Sequence, residues 1–112
     1  MSKSIITEYD RYCLICGSPN VECHHFLGGT AKRQIADADG VFAFVCPYHH
    51  NSSKMSVHQN KEMKVLSQQV GQLAWERHEL AKLLADALGK SVGELEVTIR
   101  VQFINRYGKS YL

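Results

Sequence analysis

The sequence predicts an α+β fold in one domain of 112 residues: a small module of short strands and loops over 1–58, a long helix over 56–88 and a C-terminal helix over 91–107. Three observations predict it. All four cysteines and five of the six histidines lie in the first 58 residues. The same stretch holds two β-prone runs, "VECHHF" and "GVFAFVC". Beyond it, apolar residues recur at helical spacing.

The first region buries little apolar surface, so something other than a core must hold it together. The long helix is predicted by the S-x-x-Q spacing of Ser56 and Gln59, which suits a capping box, and by a stripe of Met63, Leu66, Val70, Leu73, Ala74, Leu80, Ala81, Leu84 and Leu88 expected to face the core. Gly71 weakens its middle, a break near His78 fits the pattern, and Gly89 is a natural stop. Residues 91–107 carry two signals. Ser91 and Glu94 suggest a second capping box, with Val92, Leu95, Ile99, Phe103 and Tyr107 on one helical face. Yet Leu95, Val97, Ile99, Val101 and Phe103 alternate strictly, as in a strand. Helix is the expectation, because a strand so far from the others lacks a pairing partner. "LADALGKSVGEL" has a helix-turn-helix look that two packed core helices explain better.

The formal net charge is +2, with a mild basic lean in the second half: nine Lys/Arg against six Asp/Glu over 51–112, four against five before it. That is compatible with nucleic acid but equally with a solvated helix surface. No apolar run approaches the ~20 residues a membrane span needs, and "MSKSIITEYDRY" lacks the apolar core of a signal peptide. An intracellular protein without a membrane partner is expected.

In that setting, metal binding outranks a disulfide framework for the cysteines. "CLIC" supplies Cys13 and Cys16; "CPYH" supplies Cys46 and His49. A two-residue gap lets a tight knuckle turn both side chains to one ion, and two such knuckles provide the four soft or borderline ligands of tetrahedral zinc. Gly17, Pro19 and Pro47 suit the turns. Cys23, left over on a strand, reads as a packed thiol. Zinc would then fold this half by coordination.

His24, His25, His50 and His58 remain. Neighbours on a strand point to opposite faces, so either one of His24 and His25 is incidental or the two do different things at one site: one can ligate a second divalent ion while the other acts as a base on water.

At these residues the chain resembles a known family. A histidine pair at a strand end, a glycine-containing loop, a second strand ending in C-x2-H-H and then a helix look like the HNH nucleases. The closer likeness is to small phage-type HNH proteins, on "HHFLGG", "CPYHHN", "VHQNKE" and "FINRYGKSYL". It covers residues 13–78 and 98–112, with 79–97 outside it. The resemblance implies a ββα-metal, treble-clef-like fold and a bacterial, phage- or prophage-encoded enzyme that cleaves DNA, with RNA left open. His24 and His50 match the ligands of the catalytic ion (Mg²⁺, Mn²⁺, Ni²⁺ or Zn²⁺), His25 matches the general base, and His58 is the third ligand or a residue orienting one. Eight residues of continuous helix would hold His50 and His58 ~12 Å apart, so "NSSKM" must be a loop if they share an ion.

One departure stands out. Where the family resembled has its middle asparagine, on the second strand and bracing the loop that bears the base, this chain reads "DADGVF", with Val41. Asn51 or Asp39 is the expected substitute. Lys32, Arg33 and Lys54 are candidates to contact flanking phosphates. The rival readings are a catalytically decayed zinc module binding DNA or a phage protein, favoured by the missing asparagine, and last a metal-sensing regulator.

Overall fold

The computed structural model describes residues 3–7, 10–86 and 92–112. Two four-residue strands, β1 (Glu22–His25) and β2 (Phe42–Val45), pair antiparallel, with His24 opposite Ala43 and His25 opposite Phe42. Short strands and loops are the expectation for the chain between them; it is instead a helix, α1 (Thr30–Asp39). "TAKRQIADAD" is rich in strong helix formers, but only Ile35 and Ala36 join the core, too few to display a period. The helix stops at Gly40, which adopts φ +80 and gives its N–H to the carbonyls of Ala36 and Asp37. Any side chain there would also strike the Lys3 carbonyl, because the N-terminal segment crosses at this point, Ile5 N–H bonding Gly40 O at 2.9 Å.

After β2 a π-helical turn, Tyr48–Ser52, leads into a loop and then α2 (Lys61–Asp86). The long helix starts five residues later than predicted. Asn60 caps it, its Oδ1 accepting from Met63 N–H at 3.0 Å, while Ser56 Oγ accepts from Gln59 N–H at 3.2 Å and closes the turn before it. α2 runs unbroken through His78. The predicted stop at Leu88 and Gly89, and Ser91 of the second capping box, lie outside the described residues.

The helix is as expected; its buried face is not. Leu66 and Leu73 are 53% and 54% exposed, and Leu84 also faces out, whereas Ser67, Gly71, Gln72 and Trp75 are buried. The inward face must be small because a Cβ on Gly71 would sit 2.8 Å from Phe26 Cβ. It must be polar because Gln72 serves the returning C-terminus: its Oε1 accepts from Tyr111 N–H at 2.6 Å and its Nε2 donates to Ser110 Oγ at 2.9 Å. Here hydrogen-bond demand and close approach outweigh hydropathy.

α3 (Val92–Tyr107) is helical. Ile99, Phe103 and Tyr107 are buried at every fourth position, while Val97 and Val101 are 68% and 51% exposed, which no strand alternation allows. These three residues meet Trp75, Phe26, Leu27, Ala36, Val41 and Ala43 in the main core. Asp39, at the end of α1, ties three helices together: it accepts from Trp75 Nε1 at 2.9 Å, Arg106 Nε at 2.5 Å and Nη2 at 2.6 Å, and Tyr107 OH at 3.0 Å. A second, smaller core surrounds Cys13, Cys46 and Val45. Among the described residues no helix is long and apolar enough to cross a membrane.

Candidate metal centres

Cys13, Cys16, Cys46 and His49 converge as their spacing predicts. The first knuckle hangs on β2 through Leu14 N–H to Phe44 O at 2.9 Å and closes through Gly17 N–H to Cys13 O at 2.8 Å. The second closes through His49 and His50 N–H groups, both onto Cys46 O. Cys16 Sγ lies 3.7 Å from Cys46 Sγ, Cys13 Sγ 3.8 Å from His49 Nδ1, and Cys46 Sγ 3.2 Å from His49 Nδ1. A tetrahedron with metal–sulfur bonds of ~2.3 Å has sulfur–sulfur edges of about 3.8 Å. The donor set and its spacing could therefore hold a zinc ion. Burial works against the Cys13 thiolate, but backbone N–H groups of Cys46, Cys16 and Ile15 and the His49 side chain outweigh it and bring the thiol down to about 6. Cys23 is half-buried and in neither ligand group. Burial, then Asp37, pushes its thiol up.

The second group is His24, His50 and His58, with one nitrogen of each within 4.8 Å of the others. Three elements position it. β1 carries His24, buried; the π-helical turn carries His50; the following loop carries His58. "NSSKM" is indeed irregular chain, and backbone bonds Val57 N–H to His49 O (2.8 Å) and His58 N–H to His50 O (3.1 Å) fold it back on the turn.

Two of the three rings are held by partners outside the group. His50 Nδ1 meets Glu22 Oε1 at 2.8 Å; a carboxylate only accepts, so His50 holds its proton there and turns a lone pair at Nε2 to His58. His24 Nε2 meets Ser67 Oγ at 2.7 Å. His50 Nε2 and His58 Nε2 are 3.0 Å apart, an approach that needs a proton or a cation between them. His24 Nδ1 is buried with no hydrogen-bond partner, and leaving such an atom unpaired costs about 1–3 kcal/mol. Imidazoles gathered in one group, with a hydrogen bond fixing the rings of His24 and His50, are the pattern of metal ligands. Burial, then His50, His58 and His25, brings His24 down to about 3; burial, then His50, also lowers His58. Both stay neutral, the form that ligates.

His25 makes separate contacts. Its Nε2 faces Asp37 Oδ1 at 3.4 Å and its ring lies 6.0 Å from that of Phe42. Neither expected substitute for the missing asparagine is there. Asp39 is committed to Trp75, Arg106 and Tyr107. Asn51 is exposed, with its backbone carbonyl accepting from the Gln59 amide. Asp37, Glu22 and Ser67 are contacts that sequence reasoning misses; only Glu22, two residues before His24 on the same strand face, carries a local signal.

Of the candidate phosphate contacts, Arg33 and Lys54 are exposed. Lys32 is engaged with the C-terminus, Nζ donating to Tyr111 OH at 2.8 Å. Comparison with family models, with curated proteins and with solved structures returns no match for this chain.

Proposed function

We propose that this chain is a metal-dependent endonuclease of the HNH type, with a ββα-metal module, that hydrolyses phosphodiester bonds of DNA. The supporting observation is the split at the end of β1: His24, with a buried unpartnered nitrogen, groups with His50 and His58, while His25 stands half-buried outside that cluster. His24, His50 and His58 would hold a divalent ion (Mg²⁺, Mn²⁺, Ni²⁺ or Zn²⁺), and Cys13, Cys16, Cys46 and His49 a structural zinc. When bound, the divalent ion supplies positive charge against the scissile phosphate and the leaving oxygen.

The rest falls to the chain. His25 takes the proton of the attacking water as the new oxygen–phosphorus bond forms and the bond to the 3′-oxygen breaks, that oxygen taking a proton from solvent. Arg33 and Lys54 contact flanking phosphates. A plasmid-nicking assay tests the reading: with Mg²⁺, Mn²⁺ or Ni²⁺, supercoiled DNA becomes nicked or linear, and His25→Ala falls about 10²–10⁴-fold. Equal trace cleavage by both proteins with every metal refutes it.

The second reading, a zinc module that binds DNA or a phage protein without cutting, is favoured by one observation. Neither Asn51 nor Asp39 stands at His25 in place of the family asparagine.

A further inference from the structure

From the geometry around His25 we infer that Asp37, a side chain on α1, is the positioning residue of the base. This rests on the nuclease reading of the same site.

Asp37 Oδ1 lies 3.4 Å from His25 Nε2, in a pair that is 38% and 18% exposed at the side chains. A carboxylate can only accept, so a neutral His25 keeps its proton on Nε2 and leaves the lone pair on Nδ1. One tautomer and one ring orientation are then selected before substrate arrives. The pair is wet enough for water to reach the ring and covered enough for the contact to persist.

What makes Asp37 a dependable support is its anchorage. It sits in the last turn of α1, and its carbonyl accepts from Gly40 N–H at 3.3 Å. Two residues on, Asp39 is held by four hydrogen bonds from α2 and α3. Residues two apart on a helix point to nearly opposite sides. One end of α1 thus grips the helical core with Asp39 and presents Asp37 to the strand end. The sheet itself contributes little to fixing His25, since β1 and β2 pair over only four residues.

The test compares wild type, Asp37→Ala and Asp37→Asn. In long-range proton–nitrogen NMR spectra, wild-type His25 should be the Nε2-protonated tautomer, Asp37→Ala a mixture of both, and Asp37→Asn, which keeps an acceptor oxygen, closer to wild type. In DNA cleavage, Asp37→Ala should lower kcat about 10–100-fold with KM and Mn²⁺ affinity unchanged, and Asp37→Asn should recover part of the loss. An unchanged tautomer and unchanged kcat in Asp37→Ala overturn the inference while leaving the nuclease reading intact. A matching loss of Mn²⁺ affinity also overturns it, by making Asp37 a support of the metal cluster. If wild type cuts no DNA, the nuclease reading fails first, and the spectra still decide whether Asp37 sets the tautomer.

Discussion

His49 and His50 are consecutive residues on one π-helical turn, yet their ring nitrogens enter different ligand groups, one with three cysteines and the other with two histidines. Both N–H groups bond the same carbonyl, Cys46 O, at 3.1 and 2.8 Å. Whatever orders that turn orders both groups.

Metal binding at the two groups should therefore be coupled. Cys16→Ser, which alters the one exposed cysteine of the first group, should weaken Mn²⁺ binding at the histidine cluster on the order of tenfold. Calorimetric titration measures it, and linkage requires the reverse effect to be equal. Mn²⁺ affinity identical to wild type, with zinc lost, would make the two groups independent.

The cysteine group should retain about one zinc per chain through purification. Cys13→Ser and Cys46→Ser should lose it, and with it the structure of the two knuckles, because among the described residues the core around them is Cys13, Val45 and Cys46 with Val21 packed against them. Metal analysis and amide exchange across residues 10–50 check the outcome. Unaltered protection after exhaustive chelation contradicts it.

The two neighbouring histidines should separate on binding and turnover. His24→Ala should abolish measurable Mn²⁺ affinity; His25→Ala should leave it nearly intact and remove cleavage. Ser67→Ala should cost about 10–100-fold in Mn²⁺ affinity, because the hydroxyl fixes the His24 ring through its bond at Nε2. Equal metal loss in both histidine variants would remove the base role from His25.

Alkaline pH should cost stability at Tyr107. Burial, then the nearby Asp39 carboxylate, holds its phenol well above the usual range for a tyrosine. A folded pKa raised above the unfolded one means stability is whole below about pH 10 and falls as pH climbs past it. Tyr107→Phe should flatten that decline while lowering stability at pH 7 by about 1 kcal/mol for the lost bond to Asp39. Denaturant titrations at pH 8 and pH 11 compare the two proteins.

The cysteine group is legible in the sequence because each knuckle is a short local spacing; His24, His50 and His58 are suggested as one set by the family resemblance, not by spacing, and His24 and His25 part by strand alternation alone. The helices are legible as elements but not in orientation. α2 carries Leu66, Val70, Leu73 and Leu84 of its apolar stripe outward and keeps Leu80 against the core, since what its middle must meet is an imidazole, a returning chain end and the base of a phenylalanine side chain. α1 is hidden because only Ile35 and Ala36 of its ten residues join the core, and Asp37 is hidden with it, twelve residues from the histidine it faces. Asp39 stands out in the sequence as a stand-in for the asparagine, yet it serves the helical core instead. Its partners there lie 36 to 68 residues away, beyond any local pattern.

Gly71 has a longer reach than its size suggests. It lets α2 lie directly against Phe26, Leu27 and Val41, and Ser67, which reaches His24, stands one helical turn before it. The gap between scaffold and ligand is set by a missing methyl group. The leucines along the outer side of α2 can be redrawn with little consequence for the cluster. Position 71 works as a gauge block: its thickness, that of a bare backbone, is what keeps a distant hydroxyl in register with an imidazole, and alanine is already too thick.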